Sequence, residues 1–219
     1  TWHHLCTVRQ TVETVGCPEA YYLDNHSIFR PQKKDPVTQF GRALKSLEIE
    51  LKFTKVHYPQ AKGKIEKHFD YLQRRLPILC ERYKIKNLTQ ANRVLREEII
   101  PYYNEVHIHT EIDETPEKRW QRALKEGRSF LRSIPEKTPM DYHFALHYER
   151  VLAGDGSFTY RGMRFVIPRG PRYKKVLLVL LPPYGSRQTK SRLTVLYNGS
   201  TLKQFILVGN KIISDWNII

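Results

Sequence analysis

A switch in hydrophobic period near residues 135–139 constrains this chain more than any other feature. Before it, apolar residues recur at three- and four-residue steps, the mark of amphipathic helices. Leu5, Val8, Val12 and Val15 trace one helical face over residues 2–15, and Gly16 then stops it. Ile65, Phe69, Leu72, Leu76 and Leu79 trace a second over residues 61–83, which Pro77 is expected to kink or split. Further helices are predicted at about 37–47, 94–103 (with a break at Pro101) and 120–131, and short strands at 20–23 and 50–54. After the switch, apolar runs alternate at 143–151, 157–167, 175–181, 193–197 and 201–207, with Asn198-Gly199 as a tight hairpin turn between the last two. The pattern predicts an α/β part, a helical middle and an all-β unit of about five strands, which suits a small barrel of the SH3 or OB kind.

The partner class follows from charge. With 37 Lys and Arg against 22 Asp and Glu, the chain carries +15 and suits a polyanion such as nucleic acid. Residues 139–219 hold 12 basic against 4 acidic residues, and residues 1–138 hold 25 against 18. The β part is therefore about twice as basic per residue. No apolar run is long enough for a spanning helix and no signal pattern opens the chain, so no membrane partner and an intracellular, cytoplasmic setting are expected. Cys6, Cys17 and Cys80 are odd in number and lack C-x-x-C spacing, which favours reduced thiols over disulfides or a zinc finger. The first residue is Thr1, which suits a processed product or a fragment.

Two acids carry the chemistry. Asp24 ends a predicted strand and Glu66 falls in the first turns of a predicted helix, and in open α/β sheets strand ends and helix starts gather where ligands bind. Two such carboxylates could hold magnesium for displacement at phosphorus. A turn-forming Asp and a Glu that complements a helix dipole explain the same residues without a metal.

Three blocks bear on that choice. Gly16-Cys17-Pro18 through Tyr22-Leu23-Asp24-Asn25-His26-Ser27-Ile28-Phe29 resembles the second-aspartate region of DDE transposases and retroviral-type integrases. Tyr58-Pro59-Gln60-Ala61-Lys62-Gly63-Lys64-Ile65-Glu66 resembles their glutamate motif. Tyr103-Asn104, His109 and Thr115-Pro116-Glu117-Lys118-Arg119-Trp120 resemble the segment that follows the core in bacterial insertion-sequence transposases. The resemblance spans about residues 10–122, in the family's order. It implies a partial RNase H-like core at 1–76, a helical connector at 77–138 and a basic, DNA-binding SH3-like β-barrel at 139–219.

By that resemblance Asp24 is the second metal ligand and Glu66 the third. The implied cofactor is Mg2+ or Mn2+, with two ions only in a complete site. The implied partners are transposon-end and target DNA, with a homo-oligomer assembling on the DNA, and the implied setting is a bacterial nucleoid. The interval between the two acids is 42 positions, longer than is usual in the family, and residues 31–39 look inserted. The family's first aspartate has no counterpart here, since Glu13 and Glu19 lie in a helix and a turn. The core is thus expected to be N-terminally truncated, and the isolated chain inactive.

Lys62, Lys64 and Lys67, with Gln60, are the DNA contacts expected beside Glu66, and a solvated helix start is their bland alternative. In the β part, Arg161, Arg164, Arg169, Arg172, Lys174 and Lys175 are interleaved with Tyr160, Phe165 and Tyr173, which suits phosphate contacts. His107 and His109 are expected to serve packing or DNA contact rather than a metal. Two functions remain open: metal-dependent DNA strand cleavage and transfer, or a DNA-binding or assembly module without catalysis.

Overall fold

The computed structural model describes residues 1–30, 37–55, 63–134, 139–185, 188–209 and 211–217, with the side chains of 216 and 217 outside that description. Two compact units emerge: residues 1–53 with 131–219, and residues 54–130.

In the first unit, helix α1 (Trp2–Val15) buries Leu5, Val8 and Val12, the stripe its period predicts. Gly16 ends the helix at φ 101, and a Cβ there would lie 3.0 Å from the Arg132 carbonyl oxygen. Only glycine fits such a turn at no steric cost. The close approach lets Cys17 and Arg132 exchange two backbone hydrogen bonds of 3.0 Å, which aims the chain into β1 (Ala20–Leu23). Helix α2 (Gln39–Ser46) is capped by Thr38, whose hydroxyl accepts the Gly41 N–H at 2.9 Å. It buries Phe40, Ala43 and Leu44 and leads to β2 (Glu50–Phe53), which pairs parallel with β1 in register Leu23 to Phe53.

The β part begins with the short helix α6 (Met140–Phe144) in place of the first residues of the predicted 143–151 strand, because His143 and Phe144 are buried on a helical turn. Strands β3 (Leu146–Val151), β6 (Lys175–Leu181), β7 (Ser191–Tyr197), β8 (Ser200–Val208) and β9 (Lys211–Asn217) form one antiparallel sheet in that order. The predicted 157–167 strand is a hairpin, β4 (Ser157–Tyr160) and β5 (Met163–Val166), which turns at Arg161 (φ 52) and Gly162 (φ 76). Asn198 and Gly199 have φ 48 and 81, as a primed turn requires. The alternation did not mark β9.

Phe165 stacks on Phe158 at 5.0 Å and meets Phe205 edge-on at 5.0 Å, which fastens the hairpin to the sheet. Polar contacts tie α2 to the same body. The Arg42 guanidinium donates to the carbonyls of His143, at 3.1 Å, and Ala145, and Gln39 Oε1 accepts the His147 N–H at 2.9 Å.

The second unit is helical. Helix α3 (Gly63–Arg82) runs through Pro77 without ending, so the expected split does not occur. Helix α4 (Leu88–Val94) starts at Asn87, whose side chain accepts the Gln90 N–H at 3.0 Å. It continues through wide i→i+5 turns at Leu95–Ile99 and Tyr102–Val106. Pro101 sits between these turns rather than breaking the helix, because a wide turn accommodates a residue that lacks an N–H. Helix α5 (Pro116–Lys125) begins earlier than periodicity predicts: Thr115 accepts the Lys118 N–H at 3.3 Å and Pro116 occupies the first turn.

Only Ile99 and Thr115 are buried among this unit's described residues. Ile65 and Phe69, on the predicted apolar face of α3, are 47% and 54% exposed. The packed face is instead aromatic, with His68 and Tyr71 against Tyr103 at 4.7 and 4.8 Å.

Candidate metal site and nucleic-acid interface

Because β1 and β2 are parallel and in register, whatever follows either strand leaves at one edge. Asp24 is the first residue past β1 there. Its Oδ1 accepts the His26 N–H at 3.2 Å and its side chain is half-buried, so the carboxylate is aimed by a local turn. Glu66 is exposed in the first turn of α3, where the helix dipole favours a negative charge. Asp24 belongs to the first unit and Glu66 to the second. Among the described residues, no three His, Cys, Asp or Glu side chains are grouped to hold a metal. As donors the two acids fit a hard cation, since both offer carboxylate oxygens.

Of the lysine cluster, Gln60 and Lys62 lie outside the described residues. Lys64 is exposed and has no ion-pair partner among the described residues. Lys67 pairs with Glu111 at 2.8 Å, a hydrogen bond that raises the lysine pKa and lowers that of the carboxylate. Both side chains are largely exposed, so the pair is weak and a phosphate could compete for Lys67.

The six candidate DNA contacts of the β part separate by partner. Arg164 binds Asp155, whose carboxyl is pushed down to about 2, first by hydrogen bonds from Ser157 and then by the guanidinium. Lys175 pairs with Glu149 at 3.1 Å. Arg161, Arg169, Arg172 and Lys174 are exposed, with no carboxylate partner among the described residues. Arg161 lies 5.5 Å from the ring centre of Tyr160, which is buried. The pattern of residues passed over Arg150, which lies 5.7 Å from the same ring. The signal was its place on β3, opposite Val176. Burial, and then a hydrogen bond to Tyr148, push the Tyr160 hydroxyl up to about 12, so it stays a neutral donor between two arginines.

A basic chain with an aspartate at the edge of a parallel β-pair, and a long helix that opens on a glutamate, is similar in sequence, over part of its length, to curated transposases. One stretch of 95 residues, 40% of this chain and 20% of its relative, is 38% identical to the transposase for insertion sequence IS1202 of Streptococcus pneumoniae. Another of 66 residues, 28% of this chain and 14% of the relative, is 47% identical to the putative transposase y4bF of Sinorhizobium fredii. The chain therefore matches a fifth or less of these curated relatives' length. No protein-family model matches it. Among solved structures, a chain of the simian T-cell lymphotropic virus intasome in complex with PP2A regulatory subunit B56 gamma aligns over 87% of this chain and 60% of its own length. The identity is 16% and the TM-score 0.44, too loose a superposition to define a fold.

Proposed function

We propose that this chain is part of a DNA transposase that cleaves and joins strands. The observation that supports it best is the ordered set of motifs around Asp24, Glu66 and Thr115-Pro116, in a chain whose curated relatives are transposases. On this reading the parallel β-pair belongs to an RNase H-like core within residues 1–76. Residues 77–138 connect that core to an SH3-like, DNA-binding barrel at 139–219.

Asp24 and Glu66 hold Mg2+ or Mn2+ together with a further acid, as the resemblance implies. The metal supplies charge at phosphorus and an activated water or 3′-hydroxyl. The Asp24 turn fixes one oxygen ligand at the sheet edge, and the first turn of α3 presents the Glu66 carboxylate. Lys64, with Lys67, Lys62 and Gln60, holds the strand beside the reacting phosphate. Arg161, Arg169, Arg172 and Lys174 hold flanking DNA through its phosphates, and a homo-oligomer assembles on the transposon ends.

The test supplies the chain with a core strand that carries the family's first aspartate and measures metal-dependent nicking of plasmid DNA. Asp24→Asn and Glu66→Gln should each lower it by at least about a hundredfold. Nicking that survives both substitutions sinks the assignment. DNA binding with no nicking in any form favours the non-catalytic module.

A further inference from the structure

The basic stretch from Tyr160 to Lys175 carries one aromatic side chain that the core does not use. Tyr160 and Phe165 are buried, whereas Tyr173 is 75% exposed. Its backbone is also costly, because φ is 57, in the left-handed region that bulky side chains avoid. Of the six described non-glycine residues with positive φ, Tyr173 alone is aromatic. The conformation is imposed by Leu152, which is fully buried: the Tyr173 N–H donates to the Leu152 carbonyl and the Leu152 N–H to the Lys174 carbonyl, each at 3.0 Å. Such strain persists only where the surroundings over-determine it, and it gathers at positions that hold ligands.

The ring is nevertheless placed. Its tip rests against Gly154, where a Cβ would stand 2.3 Å from the Tyr173 hydroxyl oxygen and 2.9 Å from Cζ, so the close approach needs a residue without one. The side chain is thus held at its backbone and at its hydroxyl end while most of its surface faces solvent. Arg172 and Lys174 flank it, both exposed and with no carboxylate partner among the described residues. A flat apolar surface between two uncompensated cations selects its ligand. The phosphates of a closed duplex would use the cations and leave the ring idle, and an apolar peptide would meet unneutralised positive charge. A nucleotide of an unpaired strand answers both features, since its base stacks on the ring and its phosphates meet the cations.

We propose that Tyr173 is a stacking platform for an unpaired base of a DNA strand whose phosphates lie along Arg172 and Lys174. The site rests on the DNA-binding reading of the β part and not on the metal chemistry. It adds what phosphate contacts alone do not supply, a preference for opened or single-stranded DNA over closed duplex. Bases inside a duplex are already stacked on one another, so the ring gains one only where a strand has opened.

The test measures binding of the full chain, without divalent metal, to a single-stranded oligonucleotide of about ten nucleotides and to the same sequence as a closed duplex. The single strand carries a fluorescent base analogue that stacking quenches, and the wild-type chain should quench it. Tyr173→Leu, which keeps an apolar side chain and loses the ring, should weaken single-strand binding about tenfold and abolish the quenching. Its duplex affinity and salt slope should not change, because no phosphate contact is removed. Tyr173→Phe should behave as the wild type. Tyr173→Gly, which removes the ring and relaxes the positive φ, should lose the same affinity while its urea midpoint holds or rises, which separates lost stacking from lost folding. Single-strand affinity that survives Tyr173→Leu and Tyr173→Gly, or equal losses on single strand and duplex, overturns the proposal. Duplex binding without single-strand binding overturns it and leaves the DNA-binding reading standing, and binding of neither overturns both.

Discussion

Arg161, Arg169, Arg172 and Lys174 differ from Arg164 and Lys175 in one respect that sequence does not display, the presence of an acid at the side chain's end. A cation without a carboxylate can release counterions on meeting DNA, whereas a paired one must first give up its partner. Arg172→Ala should therefore lower the slope of log affinity against log salt by about one, and Arg164→Ala by less. Fluorescence anisotropy of a labelled duplex across a potassium chloride series checks this, and equal slopes for the two variants would contradict the distinction.

His147 makes a second residue-scale case. Burial first, and then the nearby Arg42 guanidinium, lower its pKa from 6.5 to about 4. The folded state thus binds fewer protons than the unfolded one. Stability should be full above pH 6.5 and fall as pH drops towards 4. Urea unfolding at stepped pH should show the loss in that window, and His147→Gln should flatten it.

At the scale of elements, most of the chain was legible because its elements use local signals. Helix α1 and strand β6 bury the apolar residues that mark them, and Asn198-Gly199 needs no distant partner to turn. Thr115-Pro116 is a cap and first-turn pair that starts α5 ahead of its apolar period. Pro77 and Pro101 suggested breaks, but each helix runs on past its proline. The β4–β5 hairpin hid inside one apolar run because Arg161-Gly162 is a weaker turn signal than Asn-Gly. Its hold on the sheet rests on Phe165, 1% exposed, between Phe158 and Phe205. Phe165→Ala should cost about 3–5 kcal/mol in denaturant unfolding.

At the scale of the whole molecule, segments distant in sequence share one body. Asp141 receives Arg9 from α1 at 2.9 Å and Arg192 from β7 at 2.6 Å, and the Trp2 indole donates to the Pro183 carbonyl at 3.2 Å. Asp141→Asn weakens both ion pairs while Arg9 keeps Glu13, so a loss of about 1 kcal/mol is expected from a thermal or urea melt, smaller at high salt.

The sequence by itself determined the periods, turns and caps that make the elements, the excess of basic charge and the motifs that mark Asp24 and Glu66. These are properties of short stretches, where neighbours along the chain are neighbours in space. Only the tertiary structure decided which cations keep an acid beside them, which face of α3 is packed, and that Tyr71 and His109, 38 positions apart, line one cavity. Those outcomes depend on burial and on side chains meeting across long intervals, and no local period encodes such meetings.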